Sequence, residues 1–490
     1  MPPEAAPELV ESAFTLETSY AGVLHEGLNL ADLAHVLDLR ARRVIPAEAA
    51  AVLLGALLDI DAVPADQFPY DPLDGEPYNS RERVLVSRIG TTAGWLHAGR
   101  PRREATRVAF RLYLRRAVAA LAADAASLGG ALVDQAGATA GVLFPDQTYL
   151  QQAQPSTVGH YLLSFAYPVL RDGARLLAAL DWVDRSPGGA GCVNGTGLQS
   201  DREGLAGLLG FDGVITHTRD AMWQTDGLVE LLAASTSLVS TQDALAEDLE
   251  IWSSAEFDFV SLADGYSRAS VLMPQKRNPY ALSIIRGATA VLIGRLTGFL
   301  ALQKAPSARS DKLIFAYTEV PGALELAGRT TRLTAGVAAT LTVNAERMAE
   351  ALAGGFSQAT DLAEHVMTAC GLDYRTAYQV VGAAVRRAAA DGRRAIDLTA
   401  DELSVAAKEL TDAPVELDPD ALARVLDPAT IVATRTGTGG AAPAPMQAML
   451  AETEGTAHRL GTAAHDRIHR FDRAAAALRQ AAREVADADA

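Results

Sequence analysis

Residues 225–253 read TDGLVELLAASTSLVSTQDALAEDLEIWS, a stretch without proline. As a single helix it would run about 43 Å at about 1.5 Å per residue. Its apolar positions, among them Leu228, Leu231, Leu232, Leu238, Leu245, Leu249 and Trp252, cover more than one stripe. A helix patterned this way is buried on several sides, as inside a bundle. Downstream, Tyr280–Ala301 has the same character, with Asn278 placed as N-cap and Pro279 at the first helical position. Ala323–Met348 reads as a further long helix. Upstream, Glu104–Leu128 and Thr157–Val183 are long helices, the second with Pro168 as a kink. Asp201–Leu209 is a short one, and Leu30–Leu58 makes two helices split at Arg43–Pro46.

Alternating strand patterns are scarce, so the expected class is all-α. The pattern predicts an N-terminal helical domain over 1–98, a central long-helix bundle over 99–349 and a C-terminal helical domain over 350–490. The last has short helices broken at Gly354–Gly355, Asp391–Gly392, Asp412–Pro414 and Gly437–Pro445. Beyond Pro445 the sequence is helical, polar and rich in Ala and Arg. Central helices this long and this widely apolar predict association with copies of the same chain.

Composition narrows the function. The 490 residues are 49% hydrophobic and 21% charged, with a net charge of -17. Such an acidic surface lacks the basic footprint that a nucleic acid needs. Cys192 and Cys370 are too few for a disulfide framework, which suits a reducing compartment. Residues 1–12 do not read as a signal peptide, and no uncharged apolar run reaches 18 residues. The expectation is a cytoplasmic protein without membrane or nucleic-acid partners. Of 43 basic residues only Lys276, Lys304, Lys312 and Lys408 are lysine.

The segment richest in chemistry is Tyr266–Arg286, YSRASVLMPQKRNPYALSIIR, between two long helices. Pro274 and Pro279 stiffen a loop that carries the Ser270 hydroxyl, the Lys276 ammonium and the Asn278 amide. These groups suit a bound carboxylate, and ordinary helix–helix connection is the plainer alternative.

The run MPQKRNP, with Ser270 before it, resembles the signature of the fumarase/aspartase superfamily, and more narrowly that of argininosuccinate lyase. Further stretches resemble that family in the same order: GWLHAGRPRRE (94–104), TYLQQAQPSTVGH (148–160), DREGLAGLLGFDGV (201–214), EDLEIWSSAEFDFV (247–260), TLTVNAERM (340–348), GFSQATDLAEH (355–365) and TRTGTGGAAP (434–443). The resemblance implies a three-domain subunit, a homotetramer and active sites built from three subunits. It implies β-elimination from a substituted succinate, releasing fumarate and an amine, with neither metal nor cofactor. Ser270 corresponds to the family's base. Arg102, Arg103, Thr148, Lys276, Asn278 and Ser283 fall at substrate-binding positions. Fixed cations and donors are what a doubly charged aci-carboxylate intermediate requires.

The departures from the family are specific. The T-H-L-Q of argininosuccinate lyases is here Thr148-Tyr149-Leu150-Gln151, and the glutamate that pairs with that histidine is Ser283. A tyrosine, with a reference pKa of about 10, donates rather than accepts a proton at neutral pH. Tyr149 is therefore expected to be the proton donor. Arg102 is kept, but the following asparagine is Arg103. In the segment 308–316 the expected tyrosine, glutamine and lysine are Ala308, Leu313 and Ala316, around Ser310. Asp32 replaces a serine, Ala269 and Val271 flank Ser270, and Trp223-Gln224-Thr225 replaces a polar stretch. The dicarboxylate end looks retained and the leaving-group end remodelled. The expected activity is a carbon–nitrogen lyase on an N-substituted aspartate, within specialised metabolism rather than housekeeping argininosuccinate cleavage. The alternatives are a catalytically silent, partner-binding homologue or an enzyme for a different elimination. His35, His97 and His160 read as structural, without a carboxylate partner close in sequence. His465 and His469 share a helix face without a third ligand, and Gly437–Gly440 reads as a turn.

Overall fold

The computed structural model describes residues 5–198, 201–304, 306–309 and 311–488. Ser310 and residues 1–4 lie outside that set. The chain is mostly helical, as its periodicity predicts. Helix α1 spans Ala21–Ala41, α2 Arg102–Ala138, α3 Val158–Val183, α4 Asp226–Trp252, α5 Tyr280–Leu302, α6 Asp311–Thr340 and α7 Pro443–Ala488.

Helix α2 is the axis of the molecule, packed against α1, α3, α6 and α7. Helices α4 and α5 pair and complete the bundle against α3 and α6. Small residues permit the closest approach: a Cβ at Gly27 would lie 2.5 Å from the Ala109 carbonyl oxygen, so only glycine lets α1 reach α2. Thr157 caps α3 through its side chain, which accepts the His160 N–H at 3.1 Å, and Pro168 is carried inside that helix.

The structure departs from the predicted elements in three places. The helix expected over Ala323–Met348 instead starts at Asp311, includes Pro321 and stops at Thr340. Thr342–Val343 then pairs with Val260–Ser261, forcing a break before the next helix. Asn278 does not cap α5. It is extended, in a two-residue strand paired with Arg268–Ala269, and Pro279 occupies the cap position. Strand β1, Leu143–Thr148, and strand β2, Gln151–Thr157, form a hairpin where little strand signal was seen. Tyr149 and Leu150 make its turn with φ of 54° and 58°. Such turns favour Asn-Gly, because side chains in this region cost about 1–2 kcal/mol per residue.

Buried side chains beyond residue 350 fall in different surroundings. Leu362, Val366, Val380, Val381, Leu403, Leu422 and Leu426 form a separate core of short helices. Met446, Phe471, Leu478 and Ala482, on α7, belong instead to the core shared by the N-terminal and central helices. The expected grouping of 350–490 as one unit thus meets more than one packing.

By length and composition, α2 and α5 are each apolar enough to cross a membrane. Most of that stretch of α2 is buried in the core, whereas most of that of α5 is not. On α5 the exposed face carries Ile284, Val291, Ile293 and Leu300. Gly287, Gly294 and Gly298 lie in the same helix, with open space where a Cβ would be.

Candidate active site

The expected site residues lie at the two ends of the bundle. At one end Arg102 opens α2, with Nε 2.5 Å from Glu76 Oε1 and Nη1 donating to Asn79 Oδ1 at 2.9 Å. Its side chain is half exposed. Arg103 turns inward, 3.8 Å from Glu76 and 4.0 Å from Glu17. Burial holds the Glu17 carboxyl above its usual range, against the pull of Arg103.

Beneath this pair lies a buried network. Asp32 accepts from Arg81 at 2.9 Å and Arg100 at 2.5 Å, and Arg81 also donates to Asn29. Asp32, which replaces a family serine, is thus closed in by two guanidinium groups and is a brace. Glu104 is fully buried and accepts the N–H groups of Gly189 and Gly191, each at 2.7 Å. It fixes the loop that leads to Cys192, and the sequence reading assigned it no such role. His97 does have a carboxylate partner, Glu82 at 2.9 Å, fifteen positions earlier. His35 is buried, which pushes its imidazole well below the usual range.

At the other end is the loop of Ser270. Its N–H donates to the Lys276 carbonyl at 3.1 Å, closing the small hairpin of Arg268–Ala269 with Arg277–Asn278. The Ser270 Oγ accepts the N–H groups of Met273 at 3.0 Å and Leu272 at 3.3 Å. Two amides converging on one oxygen stabilise negative charge there, as needed if the hydroxyl is to serve as a base through its alkoxide. The Asn278 side chain donates to the Arg268 carbonyl at 3.0 Å and braces the same hairpin. Lys276 is exposed.

Ser283, on the exposed side of α5, donates to Glu250 Oε1 at 3.3 Å, and Arg286 pairs with the same carboxylate at 3.0 Å. A glutamate from α4 therefore stands beside the position where the family carries its own. Thr148 and Tyr149 sit at the tip of the β1–β2 hairpin. Tyr149 is 98% exposed, held out by a turn whose base is anchored through Trp252 Nε1 to Gln147 at 3.4 Å.

Helix α4 measures the separation. Arg107, one turn beyond Arg103, donates to the Met222 carbonyl just before α4 begins. Trp252, at the far end of α4, holds the Tyr149 hairpin. The two groups are therefore about 40 Å apart along α4, at about 1.5 Å per residue. Among the described residues no hydrogen bond or ion pair joins them. The structure does not bring Arg102 and Arg103 together with Tyr149, Ser270 and Ser283 in one chain. On α6, Leu313 and Ala316 are buried.

Comparison with known proteins gives a consistent result. A lyase family model matches residues 14–294, and one for the argininosuccinate lyase C-terminal region matches residues 356–433. Argininosuccinate lyase of Symbiobacterium thermophilum is 35% identical over 86% of this chain and 89% of its own. That of Methanococcoides burtonii is 33% identical over 86% and 85%. The solved structure of EDDS lyase in complex with formate superposes with a TM-score of 0.88 at 25% identity, covering 99% of this chain and 97% of the other. The same enzyme has been solved as a variant with bound fumarate, at the same score and identity. The fold and matched motifs are those of a fumarase/aspartase-type lyase. Within that class, the chain belongs to the argininosuccinate lyase-like family, whose members cleave carbon–nitrogen bonds.

Proposed function

We propose that the protein eliminates an amine from an N-substituted aspartate, with Ser270 as base, Tyr149 as proton donor and fumarate as the common product. The observation that carries this reading is the pair of amides converging on Ser270 Oγ. Arg102, Lys276, Asn278 and Thr148 hold the dicarboxylate in this scheme. Ser270 removes the proton beside one carboxylate, charge spreads into that carboxylate, and Tyr149 protonates the departing nitrogen. Following fumarate absorbance across a panel of N-substituted aspartates tests it. No fumarate from any of them, and no addition of amines to fumarate, would sink the reading.

The substrate in this reading is not argininosuccinate. Supporting it are Tyr149 and Ser283 in place of the family pair, and Leu313 and Ala316 buried where polar groups are expected. The setting is then specialised metabolism. Rapid cleavage of argininosuccinate by the purified protein would refute this part. The silent homologue predicts no rise in melting temperature with millimolar fumarate or succinate, whereas a ligand at 100 times its Kd adds about 2.7 kcal/mol.

The reading includes a homotetramer with shared sites. Supporting it are the separation along α4 and the unpartnered apolar, glycine-punctuated face of α5. Mixing Ser270→Ala with Arg102→Ala should restore activity that neither has alone. An active monomer in sedimentation would end the claim.

A further inference from the structure

Arg107 is 4% exposed and follows Arg103 by four residues on α2, so the two share a helix face. Its guanidinium lies 5.8 Å from the Trp223 ring centroid and 5.5 Å from that of Tyr317. Its Nε donates to the Met222 carbonyl at 3.1 Å. Among the described residues, Nη1, Nη2 and the Tyr317 hydroxyl are all buried without a hydrogen-bond partner. Arg103 Nη1 and Glu76 Oε1 also lack a hydrogen bond among the described residues, although each sits near an ion-pair partner.

These atoms form one cluster. Tyr20 packs 4.9 Å from Tyr317, and its hydroxyl donates to Glu17 at 3.4 Å. Glu17 and Glu76 face Arg102, Arg103 and Arg107, which leaves an excess of positive charge. Burial, with Arg103 adding to it, pulls the Arg107 guanidinium down to about 9. An uncompensated buried cation is strongly disfavoured unless a partner arrives. Within the protein the carboxylates are already engaged by Arg102 and Arg103.

We propose that Arg107, with Arg103 and the Tyr317 hydroxyl, forms a subsite for a carboxylate carried by the amine half of the substrate. This rests on the reading that Arg102 holds the succinyl half. Arg102 and Arg103 share the Glu76 carboxylate, and Arg103 and Arg107 lie one turn apart on the same helix face, about 6 Å at about 1.5 Å per residue, a span that suits a compact amino acid as leaving group. The half-buried ring of Trp223, whose Nε1 donates to the Cys192 carbonyl at 2.9 Å, is the cover the carboxylate displaces. A planar fork of donors then meets its anion in a water-poor setting, where charge-assisted bonds are strongest.

Sodium acetate, titrated against sodium chloride at constant ionic strength, is the direct probe. The readout is the tryptophan emission that Trp223→Phe removes. A saturable change, lost in Arg107→Met, is the expected result. Arg107→Met should also melt higher than the parent without ligand, since methionine removes an unpaired buried charge; this separates a lost site from a lost fold. No saturable response, or one that Arg107→Met retains, overturns the subsite.

A second arm compares glycine with ethylamine in addition to fumarate. Glycine should be favoured by roughly ten-fold or more in kcat/KM, with the preference lost in Arg107→Met. Equal efficiency in the parent overturns the assignment to the amine half. If neither amine adds while the acetate response depends on Arg107, the carboxylate site stands and the lyase reading falls.

Discussion

The two ends of the bundle are built on opposite principles. Beneath Arg102 the polar groups are packed and, apart from the Arg107 cluster, paired within the chain: Asp32 between Arg81 and Arg100, and Glu104 on two backbone amides. Around Ser270 the groups are carried on short hairpins, and Tyr149 stands fully in solvent. One end is preorganised by its own chain. The other holds its local geometry on hairpins whose side chains are exposed. Water exclusion is what makes fixed donors effective for developing charge. In the proposed assembly, a copy of the chain would cover the open end and exclude water from it.

The sharpest test of that contrast is Ser270→Ala. Activity should fall by about 10²–10⁴-fold or more, as for loss of a base, while the melting temperature stays near the parent's, because the hydroxyl braces only an exposed loop. A large loss of stability would mean that the open end is structural after all. Tyr149→Phe should lower turnover within about the same 10²–10⁴-fold span. The pH–rate profile of the parent should lack a limb near 6.5, where a catalytic histidine would titrate. Full activity of Tyr149→Phe would leave the donor elsewhere.

Glu104→Ala strikes the closed end. It orphans two buried amides, at about 1–3 kcal/mol each, and denaturant unfolding should report a loss of that order. A neutral result would show that the Gly189–Gly191 loop does not need its anchor. The smallest effect concerns pH. His25 is held below its usual range by burial, with Arg81 adding to the effect, and His35 is held well below it. Their folded values lie under the unfolded 6.5, so the unfolded chain takes up protons first. Stability from these groups is full above about 6.5 and falls as the pH drops below it. Titrating the urea midpoint from pH 7.5 to 5 should show this slope, and His25→Gln should reduce it. An unchanged slope would remove His25 from the account.

Much of this was legible in the sequence, because long proline-free helices announce themselves by periodicity. Thr225–Ser253, the break at Arg43–Pro46 and the Ser270 loop are found where they were expected. The β1–β2 hairpin was not legible. Gln147–Gln152 has few β-branched residues, and its pairing is supported by docking on Trp252 rather than by propensity. The hydrogen bond between Glu82 and His97 and the anchoring by Glu104 were hidden because their partners are distant in sequence. Arg107 looked like one more arginine in an arginine-rich helix. Only burial between Trp223 and Tyr317 distinguishes it.

Helix α7 imposes an order on the making of the protein. Arg479 pairs with Asp61 at 2.7 Å, and Phe471 and Leu478 fill the core under α1 and α2. That contact joins positions 418 residues apart. A ribosome adding about 5–20 residues per second needs roughly 20–80 seconds to pass from one to the other. Once α2 has been made, its apolar flank has no lid for the rest of that interval, so the nascent chain is a natural client for chaperones, and premature release before α7 yields an unfinished core.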